Sequence, residues 1–136
     1  MIDLHLHTTA SDGSLPPAAL VARAAGAGLL TISVTDHDTT GGLDEARAAA
    51  HALGMRLIDG IEITAVEEER DVHVLGYFVD PRHDALRSFL AGHRDDRIRR
   101  VREIAARLAD LGAPIDPEPL VTRGREQEVS VGRPHV

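Results

Sequence analysis

Over residues 1–80 short apolar runs alternate with alanine-rich stretches, the grammar of a parallel sheet covered by helices. Ile2, Leu4 and Leu6 alternate with Asp3, His5 and His7, so a first strand sends apolar side chains to one face and polar ones to the other. Ser14 to Pro17 opens a helix, because proline tolerates the first turn. Leu20, Val21, Ala24 and Ala25 give that helix an apolar stripe before Gly26 and Gly28 close it. Leu29 to Val34 predicts a second strand and Thr35 to Gly42 its loop. Leu43 to Leu53 predicts a second helix with Asp44 and Glu45 at its positive end and Gly54 as its stop. Met55 to Thr64 predicts a third strand. The acidic run Glu67 to Asp71 separates it from Val72 to Val79 by so short a link that a hairpin, or an adjacent strand with no helix between, is expected.

From His83 to Leu111 the period becomes helical, with Leu86, Phe89, Leu90, Val101, Ile104, Leu108 and Leu111 on one side. The arginines at 94–107 read either as a phosphate-tracking patch or as a solvated face. Asp95–Arg99, Asp96–Arg100 and Glu103–Arg107 are acid-before-base pairs at i,i+4, each worth ~0.2–0.5 kcal/mol, and they favour the solvated face. Ala113 to Pro119 is a proline-rich connector, and Val121 to Val131 is polar, charged and weakly patterned, so irregular structure is expected there. Asp38, Thr39 or Thr40 is expected to cap the second helix.

At 136 residues the chain can form one core without staples. It has no cysteine, which removes disulfides, thiolate ligands and cysteine nucleophiles. All 15 basic residues are arginine, so a Walker-type or Schiff-base lysine is excluded. The start MIDLHLHTT lacks the regions of a signal peptide, and Arg23 interrupts the most apolar early stretch well short of the ~18 residues of a membrane span. A cytoplasmic protein with no membrane partner is expected. The net charge of −7 and the scarcity of aromatics, Tyr77, Phe78 and Phe89, argue against a base-stacking surface or stable duplex DNA binding. The eight histidines are the informative excess, because the chain has no other borderline ligand for a transition metal.

His5 and His7 lie two apart on a strand, so both imidazoles point the same way and can reach one metal; a solvated strand edge is the plainer reading of the pair alone. The turn Thr8 to Gly13, rich in small residues, carries Asp12 back toward the same strand end. Thr35-Asp36-His37-Asp38 follows the second strand at its carboxyl end, where ligands bind in open sheets and barrels alike. Glu62 lies on the strand face opposite Ile61 and Ile63, where a carboxylate is costly to bury unless paired or metal-bound. His73 interrupts Val72-His73-Val74-Leu75, where a core histidine with one hydrogen bond is the ordinary reading. Asp3 faces the same way as His5, and Asp3, Asp36 and Asp38 are expected to support the ligands from behind. His51, His83 and His93 fall on predicted helices and are expected at the surface. Gly26-Ala27-Gly28 lacks a dinucleotide fingerprint, and neither His-Glu-x-x-His nor Gly-x-Ser-x-Gly occurs.

Four successive predicted strands thus place a histidine or an acid at one end. HLHTTASDG, VTDHDT, GIEIT and VHVLGY together resemble the polymerase and histidinol phosphatase (PHP) superfamily. Gly132-Arg133-Pro134-His135 is similar to a later motif of its stand-alone phosphoesterase branch. The resemblance implies an α/β fold, a parallel-strand-rich, partial distorted barrel of the seven-stranded type. It also implies two or three divalent metal ions, with Mn, Zn or Fe suited to these ligands and Mg also compatible. His5, His7 and Glu62 would hold the first ion. Glu62 would bridge to a second held by His73 and His135, and Asp12 and His37 would hold a third. Arg133 would meet substrate phosphate.

The family completes its site with a late Asp-x-His element that is not reached by Val136, so the chain is expected to be the front half of a longer barrel. Residues 1–80 would be the ligand-bearing βα units. Residues 81–136 would be a long helix and connector beginning an insertion and the second barrel half. The activity implied is hydrolysis of phosphate esters by a metal-activated water, on 3′,5′-bisphosphate nucleotides or short RNA 5′ ends. Histidinol phosphatase, polymerase-associated proofreading and a non-catalytic metal-stabilised module are the rivals.

Overall fold

A computed structural model describes residues 1–68 and 70–136; Glu69, within the acidic run after the third predicted strand, lies outside the described residues. The elements run β1 (Ile2–Leu6), α1 (Pro17–Gly26), β2 (Thr31–Val34), α2 (Leu43–Ala52), β3 (Arg56–Glu67), β4 (Arg70–Tyr77), α3 (Asp84–Asp110) and α4 (Glu118–Glu126). The strands form one sheet in the order β1-β2-β3-β4. The first two pairings are parallel, as crossover helices require, and β3 and β4 pair antiparallel, which is the hairpin alternative for their short link.

One face of the sheet carries the main core. Ile32 and Val34 on β2 are buried against Val21 and Ala24 of α1 and Leu43, Ala46 and Ala50 of α2. Each fully buried valine, leucine or isoleucine side chain contributes about 1.5–3 kcal/mol. The opposite face is lined by small residues: Ser33 donates to the Ile58 carbonyl at 2.9 Å. Gly60 lies so close that a Cβ there would collide with Ser33 Oγ and sit 2.7 Å from Thr35 Cγ2. Gly60→Ala is therefore expected to lose about 1–3 kcal/mol of stability through overpacking. Urea melts of the two proteins measure it; an unchanged midpoint would mean that the strands separate freely.

Two expectations about the later chain are corrected. The segment 118–126, expected to be irregular, is the helix α4. Its polar composition conceals Val121 and Gly124, which meet α3 at Ile98; a Cβ on Gly124 would lie 3.2 Å from Val131 and 3.4 Å from Ile98. Ile98, Val101, Val121, Val129 and Val131 form a second core. On α3 the i,i+4 pairs give way to others: Arg99 pairs with Asp96, Arg100 with Asp71 of β4 and Arg102 with Glu118 of α4. Nor does Asp38, Thr39 or Thr40 cap α2. Its N-cap is Gly42 and makes no side-chain cap bond, because Thr39 Oγ1 donates to the Glu128 carbonyl and Asp38 is engaged elsewhere.

Candidate metal centre

The parallel strands deliver their carboxyl ends to one place. His5 lies on β1 and His7 just beyond it. The chain then doubles back: Thr8 donates its N–H and its hydroxyl to Asp36, both at 2.7 Å, and Ser11 Oγ donates to Asp36 at 2.6 Å. The Gly13 N–H closes the turn on the Thr8 carbonyl at 2.9 Å. A Cβ on Gly13 would overlap the His7 carbonyl, so only glycine lets the turn bring Asp12 beside His7. After β2, the loop carrying His37 is stitched to β3: the Glu62 N–H donates to the Asp36 carbonyl at 3.2 Å, and the Asp38 N–H to the Glu62 carbonyl at 2.9 Å. His73 faces Thr64 across the hairpin, which puts it diagonally next to Glu62 on one face.

Glu62, 4% exposed, stands at the centre. Its Oε2 is 2.8 Å from His5 Nε2 and 3.0 Å from His7 Nε2. Its Oε1 is 2.5 Å from His73 Nδ1 and 3.9 Å from His37 Nδ1. Asp12 lies 3.2 Å from His7 Nδ1 and 3.5 Å from His37 Nε2. Three sets have ligand atoms close enough to share an ion: His5, His7 and Glu62; His7, Asp12 and His37; His37, Glu62 and His73. Whether these residues suit a metal is tested by His37, whose Nδ1 is buried and makes no hydrogen bond among the described residues. A buried, unsatisfied nitrogen beside a carboxylate is anomalous in a protein without an ion and ordinary for a ligand. Imidazole with carboxylate is also the donor set of borderline divalent ions.

Charge follows from this packing. Burial lowers the His37 pKa below its usual value, against the opposing pull of Glu62 and Asp12. Burial alone would raise Glu62, but hydrogen bonds from His5 and His73 and the nearby His37 and His7 outweigh it and hold the carboxyl below its usual range. Both groups then bind fewer protons folded than unfolded. His37 contributes stability that is full above about 6.5 and lost as pH falls from there; Glu62 contributes stability that is full above about 4.5 and lost below. The metal-free protein is expected to melt at a lower temperature at pH 5.5 than at pH 7.5, and lower again at pH 4. A melting temperature that rises on acidification would contradict both shifts.

His135 stands apart from these sets. Its Nε2 is 2.7 Å from the Ser11 carbonyl, and its Nδ1 lies 3.1 Å from the Gly132 N and 3.2 Å from the Gly132 carbonyl. With exposed Arg133 it lines a cavity of about 820 Å³ that runs from Asp12, His37 and His73 to α3. The three other acids hold backbone and hydroxyl groups instead of the rings of His5, His7, His37 and His73. Asp3 accepts the His5 N–H at 3.1 Å, Asp36 supports the Thr8 to Ser11 turn, and Asp38 accepts the Thr64 N–H at 2.8 Å. His51 and His83 are exposed, but His93 is half-buried with Nδ1 3.5 Å from Asp38, a departure from the surface position expected for it. Sequence reasoning also missed Arg97, which lines the cavity and binds Asp38. Its signal was its place on the apolar stripe of α3, seven residues after Leu90 and four before Val101.

Residues 3–121 match the family model for the PHP domain. A 5′-3′ exoribonuclease Rnm from Salmonella typhimurium is 44% identical over 114 residues, 82% of this chain and 39% of that protein. A 3′,5′-nucleoside bisphosphate phosphatase from Chromobacterium violaceum is 40% identical over 111 residues, again 82% of this chain and 39% of the relative. The chain therefore spans about two fifths of the length of these curated relatives. A solved structure of a candidate metal-dependent phosphoesterase from Bifidobacterium adolescentis superposes with a TM-score of 0.88 at 39% identity, covering 99% of this chain and 47% of that one. The mixed, mostly parallel sheet with its helices is thus half of such a barrel.

Proposed function

This chain belongs to the PHP domain family, and from that premise we propose that it supplies most of the metal centre of a hydrolase of nucleotide phosphate esters. The substrates are 3′,5′-bisphosphate nucleotides and short RNA 5′ ends. One observation carries the reading: buried Glu62 is ringed by four imidazoles, with Asp12 bridging two of them. His5, His7 and Glu62 would hold one ion, Glu62 and His73 a second beside His37, and Asp12 and His37 a third; His135, whose ring nitrogens are engaged by the Ser11 carbonyl and the Gly132 backbone, would join the second only on leaving them. Two to three ions of Mn, Zn or Fe fit these donors, and Mg is compatible with the carboxylates. Such ions, when bound, draw in the phosphate and acidify a water molecule.

The chain's own part is to place charge. Glu62 and Asp12 fix the centre at the strand ends, and the turn held on Asp36 keeps Asp12 against His7. Arg133 stands on the cavity rim, where its guanidinium meets a phosphate oxygen entering from solvent. Residues 1–80 carry most of the ligands, and residues 81–136 wall the cavity and begin the insertion and the second half of the barrel. Among the described residues no helix is long and apolar enough to cross a membrane; we place the activity in the cytoplasm, where nucleotide and RNA-end substrates occur.

The test is phosphate release from adenosine 3′,5′-bisphosphate, and nucleotide release from a 5′-phosphorylated RNA oligomer, with manganese in excess. Release from either substrate is expected. Manganese-loaded protein inert on both, but active on histidinol phosphate, would replace the proposed substrate class.

A further inference from the structure

Arg97 turns its guanidinium inward from α3, with the side chain only 19% exposed. Its Nε donates to Asp38 Oδ2 at 2.7 Å, and its Nη2 reaches the same oxygen at 2.6 Å and Thr64 Oγ1 at 2.8 Å. Asp38 is fully buried, so its charge needs this partner. It is also held at φ 50°, a left-handed conformation that an aspartate keeps only when its surroundings impose it. The same carboxylate accepts the Thr64 N–H at 2.8 Å, and the Asp38 N–H meets the Glu62 carbonyl. One buried side chain therefore joins α3, the strand bearing Glu62 and the loop whose preceding residue is His37. The C-terminal turn presses on the far side of the guanidinium, where a Cβ on Gly132 would lie 3.0 Å from Nη1.

We infer that Arg97 is a positioning residue of the metal centre: through the Asp38 carboxylate it fixes the backbone that aims both ring nitrogens of His37 between Asp12 and Glu62. The inference rests on reading this cluster as a metal centre. His37 belongs to two of the three candidate ligand sets and is absent from His5, His7 and Glu62. Loss of the Arg97 fork should then act selectively. Ions that depend on His37 weaken, and the ion held by His5, His7 and Glu62 does not. Lysine cannot replace the fork, because an ammonium is a single point donor without the planar pair that spans Asp38 and Thr64.

The experiment titrates metal-free protein with Mn²⁺ alone and follows free ion by electron paramagnetic resonance, which reads stoichiometry and affinity without reference to hydrolysis. In R97Q and R97K the His37-dependent ions are expected to bind about 10–100-fold more weakly, the usual effect of removing a group that orients a ligand. One ion keeps its native affinity. The R97Q/D38N double variant is expected to be no worse than the worse single variant, because Arg97 acts through Asp38. If R97Q fails to fold, R97K, which retains the charge opposite Asp38, carries the test. Native affinities in R97K, equal weakening of every ion, or additive losses in the double variant would each overturn the positioning role. Unmodified protein that takes up no Mn²⁺ would overturn the metal centre itself, and the inference with it.

Discussion

Glu62→Gln is expected to weaken the ions that share Glu62, and to lower phosphate release, by more than about 100-fold, beyond the 10–100-fold typical of residues that only orient a ligand. The amide keeps the shape of the side chain and loses its charge. Four imidazoles converge on these two oxygens, at 2.8 and 3.0 Å on one and 2.5 and 3.9 Å on the other. Glutamine offers one oxygen and one N–H₂, so one pair of imidazoles would face a donor where it had faced an acceptor. Neither of the ligand sets that share Glu62 would survive intact. His51→Gln is the control: His51 is exposed on α2, and its replacement should change stability by no more than about 0.5 kcal/mol and leave turnover native. His93 is unsuitable for that purpose because of its approach to Asp38. Near-native turnover and metal content in a folded Glu62→Gln protein would remove Glu62 from the centre.

Chelation is expected to lower the melting temperature of the metal-loaded protein by roughly 10 °C. The ligand atoms cluster within 4.8 Å of one another in each set, and an ion that binds only the folded arrangement stabilises it by linkage. At an ion concentration 100 times Kd that is about 2.7 kcal/mol, and a chain of this size shifts about 3–5 °C per kcal/mol. The shift should shrink as pH falls through about 6.5, where protons compete for the histidines. Scanning calorimetry with and without chelator measures both. A chelator that leaves the melting curve of demonstrably loaded protein unchanged would show that the ions lie outside the folded site.

Much of this was legible in the chain itself. A period of two determined that His5 and His7 share a face, and alternation with alanine-rich helices determined parallel strands whose carboxyl ends coincide. The small residues of Thr8 to Gly13 determined a turn tight enough to return Asp12. These are local matters, governed by backbone geometry and side-chain periodicity over a few residues. Whether β3 and β4 formed a hairpin could not be read from a short acidic link, since hydrogen bonding across the pair decides it. The helix α4 was hidden because its nine residues are polar on the whole and include Pro119 and Gly124; burial of Val121 and close approach at Gly124 against α3 stabilise it. Asp38 looked like a helix cap by its position, yet tertiary contact with Thr64 and Arg97 claimed both of its oxygens. Arg97 lies 59 residues from Asp38 along the chain, and no local pattern encodes which carboxylate a distant guanidinium will meet. The sequence alone determined which donors gather at the strand ends. Their separations, their burial and the support behind His37 were decided by packing between α3 and the sheet, because desolvation and charge pairing depend on neighbours brought together only in the folded state.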